Sequence, residues 1–179
     1  MTISGKSETK EQMNSSKEYD SVNYSDFDKF VVSEKIQEIL VLDSSVIFKW
    51  FYFEKEESIF EAQNLYYKAT SEASIILTPE LTIYELLSIF RFRTNMKPEK
   101  LEEIIKTIFD IITVIKLDYA VYLKAYEISQ LTGCSIYDSI YIAISEKLKT
   151  QFITADEKLF SRVKQYNYNI VLLNEYLSE

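Results

Sequence analysis

Apolar residues fall in short blocks along the chain, and these blocks predict strands that are separated by helices. The predicted strands are the runs at 39–42, 75–77, 113–117, 151–156 and 169–173. The first run is apolar throughout, which suits a strand that is covered on both faces. Strands that alternate with helices indicate an α/β fold, with a parallel sheet and helices packed on both of its faces.

Helical periodicity and helix-end signals define the elements between the first strands. Apolar residues recur at helical spacing within 54–70. Thr78 and Pro79 are typical of a helix start, with Thr78 as the N-cap and Pro79 in the first turn, and they predict a helix over 79–93. Pro98 is expected to open the next helix for the same reason.

The second half of the chain carries a similar set of signals. Asp118 is expected to cap the helix that follows it, and Gly133 to end that helix in the left-handed conformation. The segment 136–145 is apolar on nearly every side, which predicts a helix in the interior. Cys134 is expected to be a small buried group, and Trp50 and most tyrosines and phenylalanines to lie in the core.

Element lengths place Asp138 and Asp156 at the same end of the fold. The helix that starts near Asp138 descends for about ten residues, or about 14 Å at about 1.5 Å per residue. The strand at 151–156 then rises by about 17 Å at about 3.3 Å per residue. Both aspartates should therefore finish at the carboxyl edge of the sheet, where open α/β sheets bind ligands.

Two further acids, Asp43 and Glu85, are candidates for the same site. Asp43 ends the first strand, where it suits equally an N-cap for the next helix or a metal ligand. Glu85 shares a helical stripe with Leu81, Ser88, Ile89 and Phe92, which predicts a face away from solvent. A carboxylate on such a face needs a partner or a ligand. The arginines of the same helix are poorly spaced to pair with it.

Asp138 and Asp156 also have ordinary structural interpretations. Ser135 and Asp138 have the spacing of a capping box, and Asp156 can cap the helix that follows its strand. Asp118 has the same placement as Asp156 and is interpreted as a cap alone. Together, the candidate acids indicate a functional site more strongly than any one of them does, because the predicted order of elements places three of them at one edge of the sheet.

The amino-acid composition excludes most kinds of active site that do not depend on acidic residues. The chain has 179 residues, no histidine, one cysteine and two glycines. Without histidine there is no Ser-His-Asp or Cys-His mechanism, and a single thiol cannot form a zinc cluster. Two glycines cannot supply a GxGxxG loop or a Walker A loop. A metal site must therefore be built from oxygen ligands, which suit Mg²⁺, Mn²⁺ or Ca²⁺.

Charge and hydropathy bear on the partners and the compartment. The net charge of −8 and the pI near 4.8 argue against a duplex-binding protein with a basic surface, but not against a nuclease with local phosphate contacts. A basic cluster lies either on a solvated face or against a nucleic-acid backbone; its members are Arg91, Arg93, Lys97 and Lys100. The single cysteine and the lack of a long apolar run favour a cytoplasmic protein without a membrane span.

The first residues differ in composition from the rest. Residues 1–34 are polar and predict a flexible N-terminal tail, or alternatively an arm that holds a partner. They contain no apolar core of the kind that marks a secretory signal. Residues 35–179 are predicted to form one domain.

Four segments of the chain resemble the motifs of the PIN-domain family, most nearly the VapC-type toxin ribonucleases. They are Asp43-Ser44-Ser45-Val46, Thr78-Pro79-Glu80-Leu81 with Tyr84-Glu85, Tyr137-Asp138-Ser139, and Ile153-Thr154-Ala155-Asp156. The order and the spacing of all four acids agree with the family pattern. The resemblance implies a three-layer α/β/α sandwich with a five-strand parallel sheet.

The resemblance also implies an activity and a set of site residues. It implies a metal-dependent endoribonuclease that uses Mg²⁺ or Mn²⁺, and the toxin of a type II toxin–antitoxin pair. The catalytic metal ligands would be Asp43, Glu85, Asp138 and Asp156, and the supporting hydroxyl residues would be Ser45 and Thr154. The implied partners are an RNA substrate, an antitoxin protein and a second copy in a homodimer.

Three alternatives remain open from the sequence. The chain could be a catalytically silent PIN scaffold that acts as a binding or regulatory module, or a PIN nuclease in RNA processing. A receiver or phosphatase on a similar sheet usually needs further acids close to the first, as in Asp-x-Asp. Here Asp43 is followed by Ser44 and Ser45.

Overall fold

The computed structural model describes residues 38–176, which contain five strands and seven helices. The strands are β1 Glu38–Leu42, β2 Ser74–Pro79, β3 Ile112–Ile115, β4 Gln151–Thr154 and β5 Ile170–Leu172. The helices are α1 Ser44–Phe48, α2 Ile59–Thr70, α3 Leu81–Arg93, α4 Pro98–Ile111, α5 Tyr119–Thr132, α6 Ile136–Leu148 and α7 Glu157–Val163.

The strands form one parallel sheet in the order β3-β2-β1-β4-β5. After β1 the chain winds outward through β2 and β3, then returns to place β4 on the other side of β1. The direction of winding therefore reverses between β1 and β4. Open α/β sheets bind ligands at such a switch point, beyond the carboxyl ends of the strands. Asp43 and Asp156 follow these two strands.

Helices cover both faces of the sheet and enclose two apolar layers. One layer contains buried residues of α1, α2, α3 and α4, among them Phe48 and Phe90. The other contains residues of α5, α6 and α7, among them Tyr141 and Leu159. The prediction of a three-layer α/β/α sandwich with a five-strand parallel sheet is confirmed.

The start of α3 differs from the prediction. Thr78 and Pro79 do not begin a helix; they are the last residues of β2 and align with Val114 and Ile115 of β3. The helix begins at Leu81. Proline has no N–H to give to a ladder and is tolerated at a strand terminus as well as in a first helical turn. Pairing with the neighbouring strand decided between these two roles, and it is not visible locally.

Other helix boundaries follow their sequence signals. Pro98 is the first residue of α4, and Asp118 caps α5 by accepting a hydrogen bond from the backbone N–H of Val121 at 3.1 Å. Gly133 ends α5 with φ of 70°. The helix predicted from residue 54 begins only at Ile59.

The aromatic residues are less buried than the sequence suggests. Trp50 lies in the core, as does Cys134. Nine tyrosines and phenylalanines of the described chain are nevertheless exposed: Phe53, Phe60, Tyr67, Tyr84, Phe92, Tyr119, Tyr122, Tyr126 and Tyr137. The expectation that the aromatic residues lie mainly in the core is therefore wrong for this group.

Asp118 is an acidic residue whose contacts are structural, and its contribution to stability can be tested. It caps α5 and forms an ion pair with Lys147 of α6. Asp118→Ala should lower the free energy of unfolding by about 1 kcal/mol, the usual contribution of an N-cap. Asp118→Asn should retain most of it, because asparagine caps as well as aspartate does. Urea denaturation measures both variants; an equal loss in the two would contradict the capping role.

The predicted tail, residues 1–34, and the alternative arm lie outside the described residues. Among the helices within 38–176, none combines the length and the apolar character needed to cross a membrane.

Candidate metal centre

Asp43 lies at the centre of the candidate site, directly after β1. It is half-buried and caps α1, where its Oδ1 accepts hydrogen bonds from the backbone N–H of Ser45 at 3.1 Å and from the hydroxyl of Ser44 at 3.2 Å. Its Oδ2 accepts from the hydroxyl of Thr154 at 2.5 Å. The cap and ligand interpretations are thus compatible, because Oδ2 accepts a single hydrogen bond and keeps a second lone pair that could bind a metal ion.

Thr154 connects Asp43 to Asp156 across the switch point. The Thr154 side chain is fully buried, and its hydroxyl accepts a hydrogen bond from the backbone N–H of Asp156 at 3.0 Å. Ser45 makes a second connection, because its Oγ accepts from the backbone N–H of Ala155 at 3.1 Å. The two predicted supporting residues therefore join the ends of β1 and β4.

Glu85 reaches the same region from the second turn of α3. Its Oε2 accepts a hydrogen bond of 2.6 Å from the hydroxyl of Tyr141, which also contacts the hydroxyl of Thr82 at 2.8 Å. The predicted stripe is only partly correct, since Glu85 is half-buried but Ser88 and Phe92 are exposed. Arg93 pairs with Glu56 rather than with Glu85, in agreement with the expected poor spacing.

Asp138 and Asp156 both have the capping contacts that their sequence context suggests. Ser135 donates its hydroxyl to Asp138 Oδ2 at 2.8 Å and accepts from the Asp138 backbone N–H at 3.0 Å. Asp156 Oδ1 accepts from the backbone N–H groups of Lys158 and Leu159 at 2.8 and 3.0 Å. Each aspartate has one carboxylate oxygen that these contacts do not use.

Burial and neighbouring charge make two acids of the site harder to ionise. Desolvation raises the pKa of Asp43 above its ordinary value, against the lowering effect of its hydrogen bonds. Desolvation also raises the pKa of Glu85, and the negative charges of Asp43 and Asp138 raise it further. A divalent cation would relieve the repulsion that Glu85 experiences from these two acids.

No basic side chain of residues 38–176 neutralises these acids through an ion pair. Within the same residues, no three acids already have the arrangement of a formed metal cage. The donor set fits a hard divalent cation, because carboxylate and hydroxyl oxygens are its preferred ligands. Asp138 and Asp156 would have to turn their unused oxygens toward Asp43 to hold it.

Tyr141 is a member of the site that sequence reasoning missed. Burial raises its pKa well above the ordinary value, and the charges of Asp43 and Glu85 act in the same direction. Its hydroxyl therefore stays protonated and donates to Glu85. Tyr141 follows Asp138 by three residues, so both lie on one side of α6. That spacing was the available signal, but an apolar helix made the tyrosine look like ordinary core.

A cleft of about 550 Å³ borders Asp156. Its lining includes Glu56, which forms ion pairs with both Lys49 and Arg93. The side chains of Lys49 and Glu56 are only 8% and 7% exposed. This network fixes the segment between α1 and α2 beside the end of α3, and it accounts for one arginine of the predicted basic cluster.

Thr154→Val tests how Asp43 is oriented. The substitution removes the hydroxyl that donates to Asp43 and accepts from Asp156, while keeping the shape of a buried strand residue. Groups that orient metal ligands typically contribute about 10- to 100-fold to metal affinity or activity. We therefore expect a metal affinity lower by about tenfold or more in isothermal titration, whereas Thr154→Ser should stay near wild type. Equal losses in both variants would contradict an orienting role.

A family model of the PIN domain matches residues 40–166. No curated protein matches the chain by sequence. Solved structures share its fold at low identity. PAE2754 from Pyrobaculum aerophilum is 14% identical with a TM-score of 0.57, and the match covers 80% of this chain and 96% of that protein.

Two further similar structures come from toxin–antitoxin systems. A toxin–antitoxin complex from Klebsiella pneumoniae is 13% identical with a TM-score of 0.56, covering 75% of this chain and 97% of that one. VapC20 from Mycobacterium tuberculosis, a toxin that cleaves the sarcin–ricin loop, is 14% identical with a TM-score of 0.53, covering 68% and 93%. With a family model that spans most of the described residues, this chain belongs to the PIN-domain family.

Proposed function

We propose that this protein is a cytoplasmic endoribonuclease that depends on a divalent metal ion, Mg²⁺ or Mn²⁺, and that it is the toxin of a type II toxin–antitoxin pair. Asp43, Glu85, Asp138 and Asp156 are the proposed metal ligands. Ser45 and Thr154 support them. Membership in the PIN-domain family and the similarity to toxin structures support this assignment.

One observation carries the metal proposal. Asp43 and Glu85 are partly desolvated acids whose pKa values are raised, and no lysine or arginine among residues 38–176 pairs with them. Keeping such acids ionised near one another destabilises the fold, and a bound cation would offset this cost. Perturbed carboxylates at the switch point of a parallel sheet are the expected place for a functional site.

The chain's own residues have separate roles in this proposal. A bound divalent ion supplies an activated water and stabilises negative charge on the attacked phosphodiester. Thr154 and the Ser45 backbone hold the Asp43 carboxylate in a fixed orientation. Tyr141 fixes Glu85, and its protonated hydroxyl keeps one carboxylate oxygen occupied. The protein thereby needs no histidine base, in keeping with the absence of histidine from the chain.

The proposed toxin role implies two partners for this chain. Several structural neighbours are described as complexes, including VapBC2 from Rickettsia felis with promoter DNA and FitAB with a DNA fragment. By this similarity we propose an antitoxin protein as the partner of this chain and a homodimer as its assembly. Size-exclusion chromatography with light scattering measures the assembly, and a monomer at micromolar concentration would contradict the dimer.

Cleavage of mixed RNA tests the proposed activity. Purified protein should cut RNA in Mg²⁺ or Mn²⁺, stop when a chelator is added, and recover when the metal is returned in excess. Activity that survives the chelator would overturn the metal mechanism. Calorimetry that detects neither Mg²⁺ nor Mn²⁺ binding, together with no cleavage, would favour a silent PIN scaffold.

A further inference from the structure

The cleft of about 550 Å³ beside Asp156 is lined mainly by charged side chains. Its volume lies within the usual range of ligand sites, but only three of its lining residues are apolar, namely Ala155, Leu172 and Leu173. An apolar ligand would separate the charged groups from water without giving them partners, which is unfavourable. The lining therefore favours an ionic group as the occupant of the cleft.

Two lysines of this cleft form no ion pair with any of residues 38–176. Lys55 lies in the segment between α1 and α2, and Lys158 lies in the first turn of α7, two residues after Asp156. Both lysines are exposed. The dipole of a helix disfavours a cation in its first turn, so α7 itself does not stabilise the charge of Lys158. Both ammonium groups are thus available to a ligand.

The segment that carries Lys55 is held in place by a largely buried ion-pair network. Glu56, the next residue along the chain, accepts a hydrogen bond from Lys49 at 2.5 Å and pairs with Arg93 of α3. Lys55 itself has a left-handed backbone, with φ of 58°. Because the backbone at Lys55 is fixed before any ligand arrives, binding requires the ordering of the side chain alone, which lowers its entropic cost.

The charge balance of the cleft differs from that of the whole chain. The chain carries 28 acidic and 20 basic residues. The cleft lining has four of each kind, and one of its acids is Asp156, a proposed metal ligand. With a divalent ion on Asp156, four cations would face the three remaining acids, Glu56, Glu57 and Glu157. Such a local excess of positive charge attracts phosphate, although the protein as a whole repels it at long range.

We propose that Lys55 and Lys158 bind a backbone phosphate of the RNA in this cleft, other than the phosphate that is cleaved. The inference rests on the proposed nuclease function and adds a second place where its substrate is held. The backbone N–H of Lys158 donates to Asp156 Oδ1 at 2.8 Å, so the cleft directly adjoins the proposed ligand set. Lysine suits this role because its ammonium group contacts phosphate oxygens as a point charge. The two lysines position the strand and take no part in bond cleavage.

Binding of a fluorescent RNA oligonucleotide tests the two lysines, with anisotropy as the readout, Ca²⁺ in place of Mg²⁺, and gels to confirm that the strand stays intact. Lys55→Gln and Lys158→Gln should each weaken binding about two- to fivefold, as expected for the loss of one exposed ion pair. Lys55→Arg and Lys158→Arg should stay within about twofold of wild type, because arginine keeps the charge. In the double glutamine variant, log affinity should depend on log salt less steeply by about 1.4, since each lost phosphate contact to a single strand contributes about 0.7.

Lys149→Gln is the matched control. Lys149 is also exposed and left-handed, with φ of 53°, and it too forms no ion pair with any residue that the structure describes. It lies between the end of α6 and the start of β4, and therefore at the opposite edge of the sheet from Asp156. Its substitution removes the same charge but should leave the affinity and the salt dependence unchanged. Thermal melting of all variants checks that the fold is intact.

Cleavage kinetics provide a second readout. A phosphate that is held away from the reacting bond is bound equally well in the ground state and in the transition state. The double glutamine variant should therefore raise KM and leave kcat within about twofold of wild type. A fall in kcat with an unchanged KM would place the lysines at the reacting phosphate and overturn the inference.

Three binding results would also overturn it. The glutamine variants could bind as wild type does, Lys149→Gln could lose as much affinity as they do, or the arginine variants could lose as much as the glutamine variants. Failure of the proposed function looks different. Strand binding that depends on both lysines without any metal-dependent cleavage would reject the nuclease and keep the phosphate site. Metal-dependent cleavage with an unchanged KM in the double variant would keep the nuclease and reject the phosphate site.

Discussion

Replacing Asp43 by asparagine is expected to lower the rate of RNA cleavage by on the order of a hundred- to a thousandfold, because the site would then hold less firmly the metal ion that stabilises transition-state charge. Asparagine keeps the shape of the side chain and can still accept the backbone N–H of Ser45, so α1 stays capped. The substitution removes the charge at the centre of the proposed ligand set. Initial rates on a defined single-stranded RNA at saturating Mg²⁺ measure the effect.

Asp118→Asn is the matched control for this experiment. Asp118 also follows a strand and caps a helix, but it pairs with Lys147 and is not one of the four proposed metal ligands. Its neutralisation should leave the cleavage rate within about twofold of wild type, as expected for a surface substitution away from the site. If Asp43→Asn cleaves RNA as fast as the Asp118 variant does, Asp43 does not hold the metal.

Divalent metal is expected to stabilise the wild-type fold and to leave the Asp43→Asn variant almost unaffected. At a free Mg²⁺ concentration of 100 times the dissociation constant, binding to the folded state alone adds about 2.7 kcal/mol to the free energy of unfolding. Urea denaturation with and without Mg²⁺ measures this difference. An equal gain in both proteins would mean that the ion binds elsewhere.

The same acids determine how stability changes with pH in the absence of metal. The pKa values of Asp43 and Glu85 are raised in the folded state, so this state holds more protons than the unfolded chain does above the ordinary values of 3.8 and 4.5. Their contribution to the free energy of unfolding therefore falls as the pH rises through the window between the ordinary and the raised pKa values. Below both ordinary values, each carboxyl group is protonated in both states and the penalty is absent.

Asp43→Asn should therefore be more stable than wild type in chelator at neutral pH, and this advantage should disappear on acidification below pH 3.8. Chemical denaturation of both proteins across this range checks the sign. A variant that is less stable than wild type at neutral pH would show that hydrogen bonds to the Asp43 charge outweigh its desolvation.

Local signals were sufficient for much of the fold. Short apolar runs gave the strands, and Asp118, Gly133 and Pro98 marked helix ends because capping depends on a few neighbouring residues. Thr78 and Pro79 misled the prediction because the competing influence was the ladder to β3, more than thirty residues away. The burial of aromatic residues was also overestimated, because periodicity does not show which faces of a helix are covered by another element.

For the candidate site, too, some features followed from the sequence and others only from the tertiary structure. The sequence alone limited the ligands that a metal site in this chain could offer, because a chain without histidine and with one cysteine can supply little but oxygen. It also placed Asp43 and Asp156 at the carboxyl ends of strands. Tertiary structure decided that β1 and β4 are neighbours, and with them the connection from Asp43 through Thr154 to Asp156. It likewise decided that Tyr141 holds Glu85. Such contacts depend on strand order and helix packing between segments 56 to 111 residues apart, and residue periodicity carries no record of them.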